Sequence, residues 1–314
     1  MNEKYIKKNI STPVLFLIFN RPDVSQRVFN EIKKAKPSKL YVAADGPRKS
    51  KEGESSRCEE TRKIIEQVDW ECKIVTLFRE DNLGCKIAVS SAITWFFDHE
   101  EEGIILEDDC LPNPTFFKYC EELLNKYRYD ERVMHISGDN FQFGKKRGDG
   151  SYYFSIYPYI WGWATWRRSW KKYDVNMRSF PLFKKQNQIR NIFENKQMQG
   201  YWMRIFERSF RGEIDTWDYQ WTYTVWSQGG LSIFPNVNLI SNIGHNAEAT
   251  HTIGKTVISN MKSFYLDKIV DPTFVLANEK ADEYFFNKVI QPTKLSKFFN
   301  GIVILKNLIE RKLN

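Results

Sequence analysis

Residues 103–110 read GIILEDDC, a short apolar run that ends in three acids, Glu107, Asp108 and Asp109. The run predicts a buried strand of a parallel sheet. Adjacent carboxylates repel one another, and hard divalent cations such as Mg²⁺ or Mn²⁺ prefer carboxylate oxygens. Because ligands of open α/β sheets bind beyond the carboxyl ends of strands, the triplet indicates a cation and phosphate site. The alternative is a solvated acidic turn that caps the next helix.

Apolar runs of similar length recur on both sides of this strand, and amphipathic helical patterns separate them. Turn residues such as Asp45-Gly46-Pro47 end the runs. The alternation predicts an α/β fold with a doubly wound, mostly parallel sheet over roughly the first 140 residues. The predicted strands are 14–19, 40–44, 74–78, 104–106 and 133–137, and the clearest predicted helices follow Asp23, Ser56 and Gly84 and span 115–127.

Composition narrows the classes of partner and compartment. The 314 residues carry a net charge of +8, which suits an anionic partner such as a nucleotide or a phospholipid surface. The basic residues are scattered and form no recognisable DNA or RNA module, so we expect no nucleic acid partner. Five cysteines without CxxC spacing indicate reduced thiols. Residues 1–12 do not resemble a signal peptide, so we expect a cytoplasmic protein.

Beyond residue 140 the composition becomes aromatic. The glycine-rich segment 141–151 marks the predicted boundary between an α/β half, residues 1–140, and a second half, residues 141–260. Tryptophans concentrate in 158–174 and 215–226, where they form either core or a sugar-binding wall. In 261–314 we expect a helical extension. Its segment 294–314 is a basic amphipathic helix that either lies on an anionic membrane or docks on its own domain.

The motifs taken in order resemble those of a known family. FNRPDVSQR (19–27), AADGPR (43–48) and NLGCKIAVSSAITWFF (82–97) precede EDDC (107–110), and SGDN (137–140), WGWATWRRSW (161–170) and TWDYQW (216–221) follow it. In this order they resemble the GT-A glycosyltransferases, and within these the N-acetylglucosaminyltransferase I-like group and bacterial surface-polysaccharide transferases. The resemblance covers roughly residues 13–230, and it implies a GT-A fold.

The resemblance also implies roles for single residues. Asp109 corresponds to the acid that binds the Mn²⁺ or Mg²⁺ between the phosphates of the donor, with Glu107 and Asp108 near the ribose, the metal waters or the donor sugar. The other implied donor contacts are Arg21 to the nucleotide, Asp45 to uracil, Lys86 and Ile87 to the base pocket, and Trp217 beside the catalytic base Asp218. An apolar setting between Trp217 and Tyr219 is expected to raise the pKa of that base.

The implied activity is metal-dependent, inverting transfer of a sugar from a nucleotide diphosphate sugar, with a UDP-sugar as the first candidate donor. The implied acceptor is a glycan or lipid-linked glycan in bacterial surface polysaccharide synthesis. Two features depart from the family: the membrane anchor of its eukaryotic members is not seen, and Tyr219 replaces the acid that commonly follows the base. His245 and His251 lie where such enzymes often have a mobile loop, and His251 is a candidate metal ligand.

Two alternative functions stay open. One is a sugar-nucleotide nucleotidyltransferase, which usually has a glycine-rich loop after its first strand. The other is a non-catalytic carbohydrate-binding protein.

Overall fold

The computed structural model describes residues 9–244 and 258–291. In the first half, strands and helices alternate as the apolar runs predict. Their bounds in chain order are β1 Val14–Ile18, α1 Pro22–Ala35, β2 Lys39–Ala44, α2 Glu54–Arg62, β3 Lys73–Phe78, α3 Gly84–His99, β4 Glu102–Glu107, β5 Cys110–Pro112, α4 Thr115–Tyr127 and β6 Val133–Ser137.

The second half contributes shorter elements. They are β7 Tyr152–Ser155, β8 Trp163–Trp166, α5 Arg167–Trp170, α6 Phe180–Lys185, α7 Lys196–Phe210, α8 Asp218–Ser227, β9 Leu231–Pro235, β10 Ile240–Asn242 and α9 Glu279–Phe285. The Asn195 side chain accepts hydrogen bonds from the backbone N–H groups of Gln197 and Met198 and so fixes where α7 begins.

Strands from both halves lie in one sheet of eight strands, in the order β3-β2-β1-β4-β8-β6-β9-β7. β1 pairs in parallel with β2 and β4, β2 with β3, and β6 with β9. β8 is antiparallel to both its neighbours, β4 and β6, and β7 is antiparallel to β9. The fold is therefore mixed α/β with a mostly parallel central sheet, and β5 and β10 form a small separate antiparallel pair.

Burial on both faces of the sheet explains why its strands are continuously apolar. Along β1, Val14, Phe16 and Ile18 pack into one hydrophobic cluster, and Leu15 and Leu17 pack into a second cluster on the opposite face. Successive side chains of a strand point to opposite faces, so a strand covered on both sides has no solvated positions for polar residues.

Most of the tryptophans belong to the core. Trp163, Trp166 and Trp221 are fully buried, and Trp170 and Trp226 nearly so. The tryptophan-rich segments thus supply a second layer over the sheet, built from α8 and the residues around β8. Two other rings of these segments, Trp161 and Trp217, also line the cavity described below.

The described chain ends its first part at residue 244, shortly after β10, and resumes at residue 258. From there it runs without helix to residue 278, where Asn278 caps α9. We call residues 258–278 the strap. Segment 294–314 lies outside the described residues. Within 9–244 and 258–291, no helix has the length and apolar character needed to cross a membrane.

Candidate functional site

A cavity of about 430 Å³ opens where β1, β2 and β4 end, between the first turns of α3 and α8. Several strands reach this edge at their carboxyl ends, which is where ligands of open α/β sheets bind. The lining is rich in charge, with more acids than arginines. Its charged members are Arg21, Asp45, Arg48, Arg79, Glu107, Asp108, Asp109, Asp215 and Asp218.

Arg21, directly before α1, bridges two of the three acids at the end of β4. Its Nε donates to Asp108 Oδ2 over 3.2 Å, its Nη2 donates to Asp108 Oδ1, and the same Nη2 lies 3.1 Å from Asp109 Oδ2. Burial lowers the pKa of Arg21, but the two carboxylates outweigh burial and leave this pKa above its ordinary value. Within this arrangement Arg21 holds the acids, and its predicted contact with a nucleotide stays a prediction.

Glu107 has the least compensated carboxyl group of the triplet. Its Oε1 is a buried atom that no hydrogen-bond partner reaches among the described residues. Burial raises the pKa of Glu107 to about 8, and the charges of Asp109 and Asp108 add to the rise. Burial also raises the pKa of Asp108, although Arg21 opposes it. Three ionised carboxylates would carry more negative charge than Arg21 alone neutralises, and the raised pKa values of Glu107 and Asp108 are the consequence.

Asp109 is fixed between Arg21 and the backbone after β10. The N–H of Ile243 donates to the backbone oxygen of Asp109 over 2.8 Å. At Gly244 an added Cβ would come within 2.1 Å of Asp109 Oδ2, so only glycine leaves room for this carboxylate. The β5–β10 pair thus places the predicted metal ligand at the wall of the cavity.

The chemistry of these oxygens fits a hard divalent cation. The uncompensated Glu107 oxygen and the Asp109 carboxylate are ligands of the type that Mg²⁺ and Mn²⁺ accept. Among residues 9–244 and 258–291, however, no group of three histidine, cysteine or acidic side chains forms a ready metal cage. A cation held here would take one or two protein oxygens and complete its shell with phosphate oxygens and water, as Mg²⁺ commonly does.

Asp45, which follows β2, holds the turn before α3. Its carboxylate accepts hydrogen bonds from Asn82 Nδ2 at 2.9 Å and from the backbone N–H groups of Leu83 and Gly84 at 3.0 and 3.2 Å. Burial raises the pKa of Asp45 although the backbone N–H donors act to lower it. Asp45 lines the cavity, as predicted for a base contact, and it also fixes the start of α3.

One face of α3 lines the cavity. Its members are Gly84, Cys85, Ala88, Val89 and Ala92, spaced as one side of a helix. Lys86 and Ile87 fall between these positions and are not part of the lining, and Ile87 is 42% exposed. The structure therefore places the two predicted base-pocket residues beside the cavity, and Cys85 and Ala88 face it.

Trp217 and Asp218 lie at the start of α8. Trp217 is 1% exposed and stacks on Trp163, with ring centroids 5.7 Å apart and an angle of 20° between the planes. Asp218 Oδ1 accepts a hydrogen bond from the hydroxyl of Thr216. The negative charge of Asp218 contributes to the raised pKa of Glu107, so the predicted base and the acid triplet face the same space.

Sequence reasoning missed other polar residues of the cavity. Arg79 and Asn82 follow β3, and Arg48 follows β2 and pairs with the buried Glu54. Asp215 is exposed and packs against Gly84, whose added Cβ would lie 3.4 Å from its Oδ2. The rule that singled out the acid triplet, polar residues at the carboxyl end of a strand, would also have found Arg79 and Arg48. His245 and His251 lie outside the described residues.

No protein-family model matches the chain. No sequence of a curated protein matches it either. Solved structures do, at low similarity. Staphylococcus aureus TarS 1–349 has 12% identity and a TM-score of 0.37, and the match covers 53% of this chain and 50% of that one. The glycosyltransferase GlyE of Streptococcus pneumoniae TIGR4 has 12% identity and a TM-score of 0.32, over 57% of this chain and 40% of GlyE.

An apo UDP-glucose pyrophosphorylase has 13% identity and a TM-score of 0.32, over 52% of this chain and 79% of that chain. At these levels the likenesses carry no argument about activity.

Proposed function

We propose that this protein is a metal-dependent glycosyltransferase that moves a sugar from a nucleotide diphosphate sugar to a hydroxyl of a glycan or lipid-linked glycan. A UDP-sugar is the first candidate for the donor. One observation carries the proposal: Arg21, the acid triplet, Trp217 and Asp218 line one cavity at the carboxyl ends of β1, β2 and β4. These residues come from distant parts of the chain, and each belongs to one of the sequence motifs described above.

The balance of charge in the cavity supports a donor whose diphosphate binds together with a divalent cation. Acids outnumber arginines in its lining, so a diphosphate alone would meet net negative charge there. Asp109, with Glu107 beside it, would hold a divalent cation. Such a cation, when bound, neutralises charge that develops on the diphosphate leaving group.

Residues at the start of α8 would carry out the proton transfer and shape the acceptor side of the cavity. Asp218 would take the proton of the acceptor hydroxyl, and Thr216 orients its carboxylate. Trp217 gives the cavity an apolar wall beside that acid. A base and a leaving group on opposite faces of the sugar give inverting transfer, which is part of the proposal. The proposed product, a bacterial surface polysaccharide, rests on the family resemblance and not on the geometry of the cavity.

The proposal is tested first by nucleotide binding. UDP, GDP, CMP, dTDP and ADP are added with and without Mn²⁺, and the melting temperature of the protein is measured. A ligand at a hundred times its Kd stabilises the folded state by about 2.7 kcal/mol. We expect a shift with UDP and Mn²⁺ that is lost in Asp109→Ala and kept in Asp215→Ala, the matched control at the mouth of the cavity. No shift with any diphosphate would overturn the proposal.

The reaction type is tested by its products. Incubation with UDP-sugars and candidate acceptors should release UDP. Release of pyrophosphate from a nucleoside triphosphate and a sugar phosphate would instead support the nucleotidyltransferase. The loop after β1, residues 19–21, contains no glycine, which disfavours that alternative. Glycan binding that needs neither nucleotide nor metal would support the non-catalytic carbohydrate-binding protein. The predicted membrane contact through residues 294–314 stays a prediction.

A further inference from the structure

Exposed apolar side chains are concentrated on the strap. Twelve large hydrophobic residues are exposed in the described part of the chain, and five of them lie in residues 258–278. The strap is less than a tenth of the described residues. Its exposed members are Phe264 (49%), Tyr265 (56%), Val270 (42%), Phe274 (70%) and Leu276 (72%). Single exposed apolar residues are ordinary, but a concentration of this kind marks an interaction surface.

The backbone of the strap is fixed to the domain, so the outward direction of these side chains is built into the fold. The N–H of Phe264 donates to the Asn238 carbonyl over 2.7 Å, and the N–H of Asn278 donates to the Phe154 carbonyl over 2.8 Å. Between these ends, the N–H of Ser151 donates to the Val270 carbonyl over 2.8 Å. Other strap side chains, such as Leu266 and Ile269, pack inward on the core.

A basic loop adjoins the strap. Lys145 and Lys146 are exposed, and Asp149, at the end of the same loop, accepts a hydrogen bond from the Thr273 backbone over 3.1 Å. Lys145 Nζ lies 4.1 Å from the centre of the Tyr284 ring on α9, directly after the strap. Cations and exposed apolar side chains therefore lie on neighbouring segments.

We propose that the strap and the loop 143–147 form a docking surface for an anionic phospholipid bilayer. Aromatic and aliphatic side chains flanked by lysines are typical of proteins that lie in the headgroup region, where the ring enters the interface and the ammonium group reaches the phosphates. Lys262 and Lys268 on the strap are exposed, but the strap also carries the exposed Asp267 and Asp271, so the net positive charge of the surface comes from the loop 143–147. Asp271 is paired with Lys126 over 2.5 Å.

The lysines favour a membrane over a protein partner. Lysine is depleted in protein–protein interfaces because its hydrated charge and flexible stem are costly to bury. At an anionic membrane the same charge attracts the protein and stays in water. This surface is formed by described residues, so it is separate from the predicted contact through 294–314, and it requires no particular activity of the cavity.

The test uses the whole 314-residue chain and co-sedimentation with vesicles. One vesicle preparation contains phosphatidylcholine only, and the other contains an equal share of phosphatidylglycerol. The variants are Phe274→Ser with Leu276→Ser, and Lys145→Glu with Lys146→Glu. The matched controls lie elsewhere on the surface: Leu182→Ser, at a residue 56% exposed on α6, and Lys171→Glu with Lys185→Glu. Melting temperatures verify that each variant is folded.

We expect the wild-type protein to sediment with the anionic vesicles and not with phosphatidylcholine alone. Both test variants should lower the bound fraction several-fold, and both controls should bind like the wild type. The proposal is overturned if the wild type does not bind anionic vesicles, or if the strap variant binds as well as its control. It is also overturned if light scattering shows a wild-type dimer that the strap variant converts to monomer, because the strap would then be a protein interface.

Discussion

Asp218 and Asp215 lie three residues apart and line the same cavity, but their surroundings differ. Asp218 begins α8 and accepts a hydrogen bond from Thr216, and Asp215 is exposed. If Asp218 is the base, Asp218→Asn keeps the shape of the site and removes the proton acceptor.

We expect Asp218→Asn to lower the transfer rate about 10²–10⁴-fold with little change in UDP affinity, because general base catalysis contributes that much. Asp215→Asn serves as the control and should retain most of the rate. Kinetics with a UDP-sugar and calorimetry with UDP measure the two quantities. Transfer by Asp218→Asn at the wild-type rate would assign the base elsewhere.

Gly244 is a second residue whose substitution should reach the site directly. An added Cβ there would overlap the Asp109 carboxylate, which Arg21 holds from the other side. We therefore expect Gly244→Ala to displace Asp109 and weaken Mn²⁺-dependent UDP binding at least tenfold, since a tenfold loss corresponds to only about 1.4 kcal/mol.

The control for Gly244→Ala is Gly200→Ala. Gly200 is a helical glycine on α7 with open space around an added Cβ. That variant should bind UDP normally and be more stable by up to about 1 kcal/mol, as expected for glycine replaced by alanine in a helix. Equal UDP affinity in both variants would mean that Asp109 tolerates the shift.

At the scale of elements, a buried histidine connects α8 to the sheet. His135 on β6 is fully buried, and its Nε2 donates to the Tyr159 carbonyl over 2.7 Å. Its Nδ1 accepts from Trp221 Nε1 on α8 over 3.2 Å. Burial lowers the pKa of His135 to about 3, so the ring is neutral at physiological pH. The ring also stacks on Trp163, which in turn stacks on Trp217.

Replacement of His135 by leucine should therefore destabilise the protein. His135→Leu leaves the Trp221 N–H buried without a partner, and such a loss costs about 1–3 kcal/mol. The Tyr159 carbonyl loses one of its two donors and keeps the Ser137 hydroxyl, which donates to it over 2.9 Å. We expect a lower free energy of unfolding, measured by urea denaturation. Combined with Trp221→Phe, the loss should be smaller than the sum of the single losses, because the orphaned donor is gone. Strict additivity would argue against the hydrogen bond.

At the scale of the whole molecule, Asp282 on α9 links stability to pH. It is buried and accepts hydrogen bonds from the Ser155 hydroxyl at 2.5 Å and the Ile156 N–H at 3.3 Å. Burial raises the pKa of Asp282 to about 7 and outweighs these donors. In the unfolded chain an aspartate titrates near 3.9, so between about pH 4 and 7 the folded state binds more protons. The contribution of Asp282 to stability should therefore fall as pH rises through this window and level off above it.

The slope from Asp282 is at most about 1.4 kcal/mol per pH unit. Asp282→Asn removes the titrating group, so the difference in stability between this variant and the wild type should shift in favour of the variant as pH rises from about 5 to 7. Urea denaturation at several pH values measures it. Glu283→Gln, at the exposed neighbouring residue, is the control. A pH-independent difference between wild type and Asp282→Asn would contradict the assignment.

The strands and helices of the first half could be predicted because their signals are local. The apolar runs 14–19 and 40–44 correspond to β1 Val14–Ile18 and β2 Lys39–Ala44 within one residue, and the helix predicted over 115–127 is α4 as observed. The acids at the end of β4 could be placed at a ligand-binding edge by the rule for parallel sheets alone. Periodicity and strand ends thus determined the fold class and the approximate place of the cavity.

Only the tertiary structure decided how the second half completes the molecule. β8 is inserted between β4 and β6, and this pairing places Gly103 opposite Thr165, about sixty residues further along the chain. Local sequence does not encode such a pairing. Core and cavity tryptophans have the same local composition, so which rings face the cavity depended on packing. By itself the sequence determined the α/β order and the acids at a strand end, because these follow from periodicity. The contact of Arg21 with those acids, and the cavity shared with Asp218, arise only when distant segments pack together.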